Sequence, residues 1–110
     1  MAFDAYTVGV QLVTELRPVL EVLARSDRDL ARQARRAATS IVLNLSEGNR
    51  RLGKDKVHFF SIASGSAKEV QTALEVSLAW GYLEAQRLAE VLDLLDRTLA
   101  MLWRLTHPRR

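Results

Sequence analysis

Apolar residues recur at three- and four-residue steps in four long segments of this chain, and this spacing constrains the fold more than any other feature. In the first segment, Val8, Leu12, Leu16 and Leu23 fall on one side of a helical wheel. No segment shows the alternation of a strand. The same spacing predicts four helices, at about 4–24, 27–47, 55–80 and 84–106. Helices of this length with short connections favour an antiparallel up-down four-helix bundle.

Length and composition are those of one globular domain. The 110 residues predict a single domain over 1–110, and contents of 48% hydrophobic and 26% charged residues are ordinary for that class. The absence of cysteine excludes disulfides, thiolate metal sites and a cysteine nucleophile. No apolar run approaches the roughly 20 residues of a spanning helix, and no signal peptide is evident. We therefore expect a cytoplasmic protein with no membrane association.

Several local signals refine the helices. Pro18 lies inside the first helical pattern, which predicts a bend there because proline removes a backbone hydrogen bond. Ser26 and Asp29 have the spacing of a capping box at the start of helix two. Gly48 predicts a left-handed C-cap at the end of that helix. Gly65 and the serine after it are small residues within helix three, which would let a neighbouring helix approach closely.

Positive charge is concentrated in one part of the chain. Residues 25–56 hold nine Lys/Arg against four Asp/Glu, although the whole chain carries only +3. The arginines of helix two cluster opposite its apolar stripe. A basic patch on a near-neutral body favours an anionic partner. The alternative is a solvated helix face followed by a basic loop.

No catalytic or metal-binding pattern stands out. His58 and His107 lack an evident partner for acid–base chemistry, and no Glu-x-x-His motif or glycine-rich phosphate loop occurs. Four polar residues near apolar faces do require an explanation, because half-buried polar groups need partners. We expect a structural polar network; a ligand site or a catalytic carboxylate pair is the alternative. These residues are Asn44, Glu47, Ser66 and Glu69.

The apolar faces of helices three and four are wider than the core of one bundle can bury. Ile62, Val76 and Trp80 widen the stripe of helix three, and Met101 and Trp103 widen that of helix four. Surplus apolar surface usually indicates association. The pattern therefore predicts an oligomer, with a thick monomeric core as the alternative.

Residues 35–48 also carry a recognisable motif, which reads Arg-Arg-Ala-Ala-x-Ser-Ile-x-x-Asn-Leu-Ser-Glu-Gly. The motif resembles that of small four-helix-bundle proteins encoded in intervening sequences of large-subunit ribosomal RNA genes. That family also includes the accessory variability proteins of diversity-generating retroelements. Helix one departs from the family pattern, notably at Pro18. Further matches are Phe59-Phe60, Ala63-x-Gly65-Ser66-x-x-Glu69 and Gly81-Tyr82-Leu83.

The resemblance implies a bundle that assembles as a ring-like homopentamer, and it implies no cofactor. In the retroelement branch it further implies a basic surface that binds RNA or DNA and a reverse-transcriptase partner. Contacts would be made to the nucleic-acid backbone with weak sequence specificity. The candidate binding residues are Arg28, Arg32, Arg35, Arg36, Arg50, Arg51, Lys54 and Lys56.

Three functional hypotheses follow from these patterns. The first is a non-enzymatic, oligomeric helical protein that binds nucleic acid through helix two and the loop after it, as an accessory factor. The second is a protein-interaction scaffold whose basic charge is incidental. The third is an enzyme that uses Glu47 and Glu69, for which no matched acid–base partner is visible.

Overall fold

The computed structural model describes residues 4–107 and contains four α-helices in that range. The helices follow one another through connections of one, two and five residues. Their bounds are α1 Asp4–Ser26, α2 Arg28–Arg50, α3 Gly53–Ala79 and α4 Ala85–Thr106. Consecutive helices pack against each other and α4 packs back against α1. The described chain is therefore the predicted antiparallel bundle, 44 × 23 × 22 Å in extent, with α2 diagonal to α4.

The core consists of the predicted apolar stripes. Leu12, Leu16, Ile41 and Leu45 are buried on α1 and α2. The inner face of α2 otherwise consists of alanines at positions 31, 34, 37 and 38, which lets the neighbouring helices lie close. The buried hydroxyl groups are bonded to carbonyls one turn back, as Thr98 Oγ1 donates to Leu94 O at 2.8 Å. These bonds remove the cost of burying a hydroxyl.

The first two helices join at a single non-helical residue. Asp27 is the N-cap of α2, and its Oδ1 accepts from Leu30 N–H at 2.9 Å. The predicted capping box at Ser26 and Asp29 is wrong by one residue, because α1 continues through Ser26. Within α1, Pro18 is exposed and does not end the helix. On that exposed side, water can satisfy the carbonyl that proline leaves unbonded.

The predicted left-handed cap at Gly48 is also wrong. Gly48 lies inside α2, which continues to Arg50, and the positive φ angles occur instead at Gly53 (59°) and Gly81 (78°). Gly48 is needed for space, since an added Cβ would lie 2.7 Å from Cε1 of the buried Phe60. By contrast, Gly65 is exposed and has no atom within 4 Å of its would-be Cβ. Close approach of helices therefore occurs at Gly48. Of the two small residues predicted to permit it within helix three, Ser66 does contact α2, through Ser40, whereas Gly65 does not.

Candidate nucleic-acid interface

The outer face of α2 carries most of the predicted binding residues. An α-helix advances 100° per residue, so positions 28, 32, 35, 36 and 50 fall within one third of its circumference. All five arginines at these positions are exposed. The stripe from Arg28 to Arg50 is about 33 Å long at 1.5 Å per residue. It presents cations at both ends, with Thr39, Leu43 and Ser46 between them.

The cations of this stripe are weakly held within the chain. Arg28, Arg35, Arg36 and Lys54 form no ion pair within residues 4–107. Arg32 Nη1 lies 3.8 Å from Asp29 Oδ1, and both side chains are mostly exposed. Exposed pairs of this kind contribute only about 0–1 kcal/mol. These side chains can therefore be redirected to a ligand at little cost.

Arg51 differs from the other arginines because it is part of the bundle's own structure. Its Nε donates to Glu47 Oε2 at 2.8 Å, and its guanidinium lies 4.9 Å from the centroid of the Phe59 ring. A second carboxylate, Asp55, lies 3.9 Å from its Nη1. The backbone N–H of Arg51 also donates to Gly48 O at 3.1 Å. Arg51 therefore closes the corner between α2 and α3 and is poorly placed to bind phosphate.

Lys56 is likewise engaged at this corner. Its Nζ donates to Asn49 O at 3.3 Å and lies 5.5 Å from the centroid of the Phe60 ring. Lys54, two residues earlier, is exposed. Of the cations predicted for the loop, Arg50 and Lys54 therefore remain accessible. Arg50 Nη2 has one exposed contact, with Glu47 Oε2 at 3.5 Å.

Glu47 is the acidic centre of the same corner. The hydrogen bond from Arg51 lowers the pKa of Glu47, with further attraction from Arg50 and Arg51, against the opposing effect of desolvation. The carboxylate is thus held in its ionised form. It neutralises part of the positive charge at the corner and orients both arginines.

The four residues expected to form a polar network fall into separate groups. Ser40 links two of them, since it accepts from Asn44 Nδ2 at 3.0 Å and from Ser66 Oγ at 2.8 Å. Glu47 instead bonds the arginines of the corner. Glu69 is exposed and forms no hydrogen bond or ion pair within the described range. Ser40, which sequence reasoning did not include as a network member, is therefore the joint between α2 and α3.

The contact between Ser40 and Ser66 also determines how far apart Glu47 and Glu69, the possible catalytic carboxylate pair, lie along the bundle. Ser40 and Ser66 are in contact across antiparallel helices. From that contact, Glu47 lies seven residues toward one end of the bundle and Glu69 three residues toward the other. The axial separation is therefore about 15 Å at 1.5 Å per residue. Paired catalytic carboxylates are typically about 5–10 Å apart. The two glutamates cannot act together on one bond.

Residues 4–107 contain neither a candidate metal site nor a candidate membrane span. No group of three or more His, Cys, Asp or Glu side chains there could hold a metal ion. None of the helices in that range combines the length and the hydropathy needed to cross a bilayer.

An apolar groove lies beside the basic stripe, between α1 and α2. Val10, Val13, Val42 and Leu43 line it, and its volume is about 180 Å³. Leu43 is 63% exposed. A second groove of about 540 Å³ continues it toward the other end and is lined in part by Arg35. Arg35 thus borders an apolar groove, whereas the other arginines of the stripe do not line it.

The core absorbs only some of the surplus apolar residues of α3 and α4. Val76 and Met101 are partly buried. Ile62, Trp80 and Trp103 remain exposed, at 38%, 69% and 59%. Trp80 and Trp103 stack on neighbouring rings, Tyr82 and His107 respectively.

Comparisons with known proteins agree with this fold. The structure superimposes with a TM-score of 0.82 on the crystal structure of a protein with unknown function from the S23 ribosomal protein family of Bacteroides thetaiotaomicron. The two share 16% identity over 93% of this chain and 97% of that one. No curated protein matches the chain. The model for 23S rRNA-intervening sequence proteins matches residues 2–104. The chain therefore belongs to the 23S rRNA-intervening sequence protein family.

Proposed function

We propose that this protein is a non-enzymatic accessory factor that binds nucleic acid along the outer face of α2 and at the corner that follows it. The observation that carries the proposal is the length and accessibility of the basic stripe. From Arg28 to Arg50 it measures about 33 Å, close to one turn of a DNA duplex at roughly 34–36 Å. Cations at its two ends could therefore contact phosphates about one helical turn apart on the same face of the duplex.

The proposed contact residues are a subset of those predicted from the sequence. Arg51 and Lys56 shape the corner, and Arg35 borders the apolar groove. The remaining cations are exposed and weakly paired, and they are Arg28, Arg32, Arg36, Arg50 and Lys54. They would recognise phosphate and not bases, so binding should be strongly salt-dependent and weakly selective for sequence.

Two triple variants with the same change in net charge test this proposal. In one, Arg32, Arg36 and Arg50 become Ala; in the matched control, the exposed arginines of α4 at positions 87, 97 and 104 become Ala. Binding of labelled duplex DNA and structured RNA is followed by anisotropy across a salt series. Each lost phosphate contact should reduce the slope of log K against log salt by about 0.9 on DNA.

The expected result is a slope smaller by about 2–3 for the α2 variant and a slope near wild type for the α4 control. Circular dichroism should show equal helicity for both. Equal losses in the two variants would mean that net charge alone drives binding, which contradicts the site. No binding of wild type at low salt would reject nucleic acid as a partner and favour the interaction-scaffold function.

We further propose that the chain assembles with copies of itself, as a ring of five subunits in line with the resemblance. The groove between α1 and α2 would receive the outer face of α4 from a neighbouring copy. There, Trp103 offers an apolar side chain, and Asp93 and Asp96 could pair with Arg35. Because α2 and α4 lie on opposite sides of the bundle, such contacts are head-to-tail, which is the geometry that closes rings.

Sedimentation of Leu43→Glu against wild type tests the assembly. A charge in the groove should dissociate the oligomer, whereas Ser46→Glu, on the same exposed face but outside the groove lining, should not. A wild-type protein that sediments as a monomer would reject the assembly. A ring would repeat the basic stripe several times and so raise affinity through multivalency. A reverse transcriptase remains a proposed protein partner, to be tested by co-purification.

A further inference from the structure

The corner between α2 and α3 exposes a leucine at its tip. Leu52 is 85% exposed, more than any other large apolar side chain of the described range. It occupies the second position of a two-residue connection, and Gly53 follows with a left-handed backbone at φ 59°. A leucine this exposed contributes little to the bundle core. Its side chain is therefore available for a contact outside the chain.

The backbone that carries Leu52 is held from both sides. Before it, Arg51 is fixed through its backbone N–H to Gly48 O and through its side chain to Glu47. After it, Lys56 Nζ bonds back to Asn49 O across the connection. A backbone held in this way loses little further conformational entropy when Leu52 enters a binding site. Leu52 is thus presented in a defined place.

Accessible cations flank this leucine. Arg50 and Lys54 lie two residues before and two residues after it, and both are exposed. Apolar side chains set between cations are the arrangement by which many proteins insert a wedge at a base step while holding the neighbouring phosphates. The combination fits a duplex better than it fits an apolar protein pocket, which would have to bury both charges.

We infer that Leu52 is a wedge that enters an opened base step of a DNA duplex, and that the protein prefers duplexes carrying a bulge to fully paired ones. This inference rests on the proposed function and adds the substrate class of the same site. Separating stacked bases costs a few kcal/mol per step. At a bulge the stacking is already disrupted, so most of this cost does not arise when the leucine enters. A bulged step is therefore the favoured place for insertion.

The test compares a matched DNA duplex with the same duplex carrying one unpaired adenine at its centre. Wild type should bind the bulged duplex about tenfold more tightly, a factor equivalent to about 1.4 kcal/mol. Leu52→Ser should remove this preference and leave affinity for the matched duplex unchanged. Serine is a better N-cap than leucine for α3, so this variant should be no less stable than wild type. Ile62→Ala, which truncates an exposed apolar side chain of α3 outside both the basic stripe and the groove, is the control and should keep the preference.

A 2-aminopurine beside the bulge provides a second readout, because its fluorescence rises when stacking is lost. Wild type should raise it and Leu52→Ser should not. Equal binding of both duplexes by wild type would overturn the wedge but keep the nucleic-acid function. Absence of all binding would overturn both. A change of sedimentation coefficient in Leu52→Ser would show that Leu52 lies in a subunit contact and would also overturn the inference.

Discussion

Two helical glycines of this bundle, Gly48 and Gly65, should respond in opposite directions to substitution by alanine. In Gly48→Ala, the new Cβ would lie 2.7 and 2.8 Å from two carbons of the Phe60 ring and 3.2 Å from Phe59 Cβ. Ordinary carbon–carbon contacts are about 3.5–4.0 Å, so the ring would have to retreat by nearly 1 Å. Phe60 is only 2% exposed, so a shift of its ring must displace the core residues packed around it. Overpacking of this kind costs about 1–3 kcal/mol.

Helix propensity opposes this cost. Replacing a helical glycine by alanine normally stabilises by about 0.5–1 kcal/mol. The net expectation for Gly48→Ala is therefore a loss centred on about 1 kcal/mol and reaching at most about 2.5 kcal/mol. In Gly65→Ala there is nothing within 4 Å of the new Cβ. Helix propensity alone then changes the free energy of unfolding, and Gly65→Ala should be more stable than wild type by about 0.5–1 kcal/mol.

Thermal and urea unfolding of both variants, at one protein concentration, measures the difference. Each kcal/mol should shift Tm by about 4–8 °C in a chain of this size. The contact itself is tested by Phe60→Leu, which should be less harmful in the Gly48→Ala background than in wild type. A Gly48→Ala protein as stable as wild type, or additive effects in that cycle, would refute the steric reasoning.

Three further predictions concern single side chains. The pKa of Glu47 lies below its ordinary value of 4.5. The contribution of its ionised carboxylate to stability is therefore full above pH 4.5 and is lost as pH falls through the folded pKa. Melting curves of wild type and Glu47→Gln should differ at pH 7 and converge in acid. Asp27→Ala should cost about 1 kcal/mol as an N-cap loss, whereas Ser26→Ala should be near neutral in the same urea titration. Ser40→Ala should cost about 1 kcal/mol, and a double-mutant cycle with Ser66→Ala should show coupling; additivity would contradict the hydrogen bond between the two hydroxyls.

The helices were predicted well because a helix that buries one face must carry apolar residues at three- and four-residue spacing. The helix ends were harder to predict. Asn49 and Arg50 are polar and look like loop, yet α2 includes them because Arg51 N–H and the corner salt bridges complete its last turn. Gly48 was read as a backbone signal, whereas its reason is the ring of a residue twelve positions later. Such tertiary contacts leave no local mark in the sequence.

The candidate site was only partly predicted, because it too depends on tertiary contacts. The sequence shows where the cations lie along the chain, but not which of them make contacts within the bundle. Arg51 and Arg50 are adjacent and alike in sequence, and only the positions of Glu47 and Phe59 distinguish a structural arginine from an accessible one. A signal for this was present, since Glu47 and Arg51 are four residues apart, the spacing of a helical ion pair.

The short connections between helices also bear on how the protein assembles. Because consecutive helices pack on each other, most contacts of the described bundle join residues that are close in sequence, and the packing of α4 on α1 joins the two ends of the described chain. Helical bundles of this low contact order fold in about microseconds to milliseconds. Encounters between subunits depend on concentration and are slower. In the proposed assembly, each copy should therefore be folded before it meets another, and the rate of association should follow protein concentration and not chain folding.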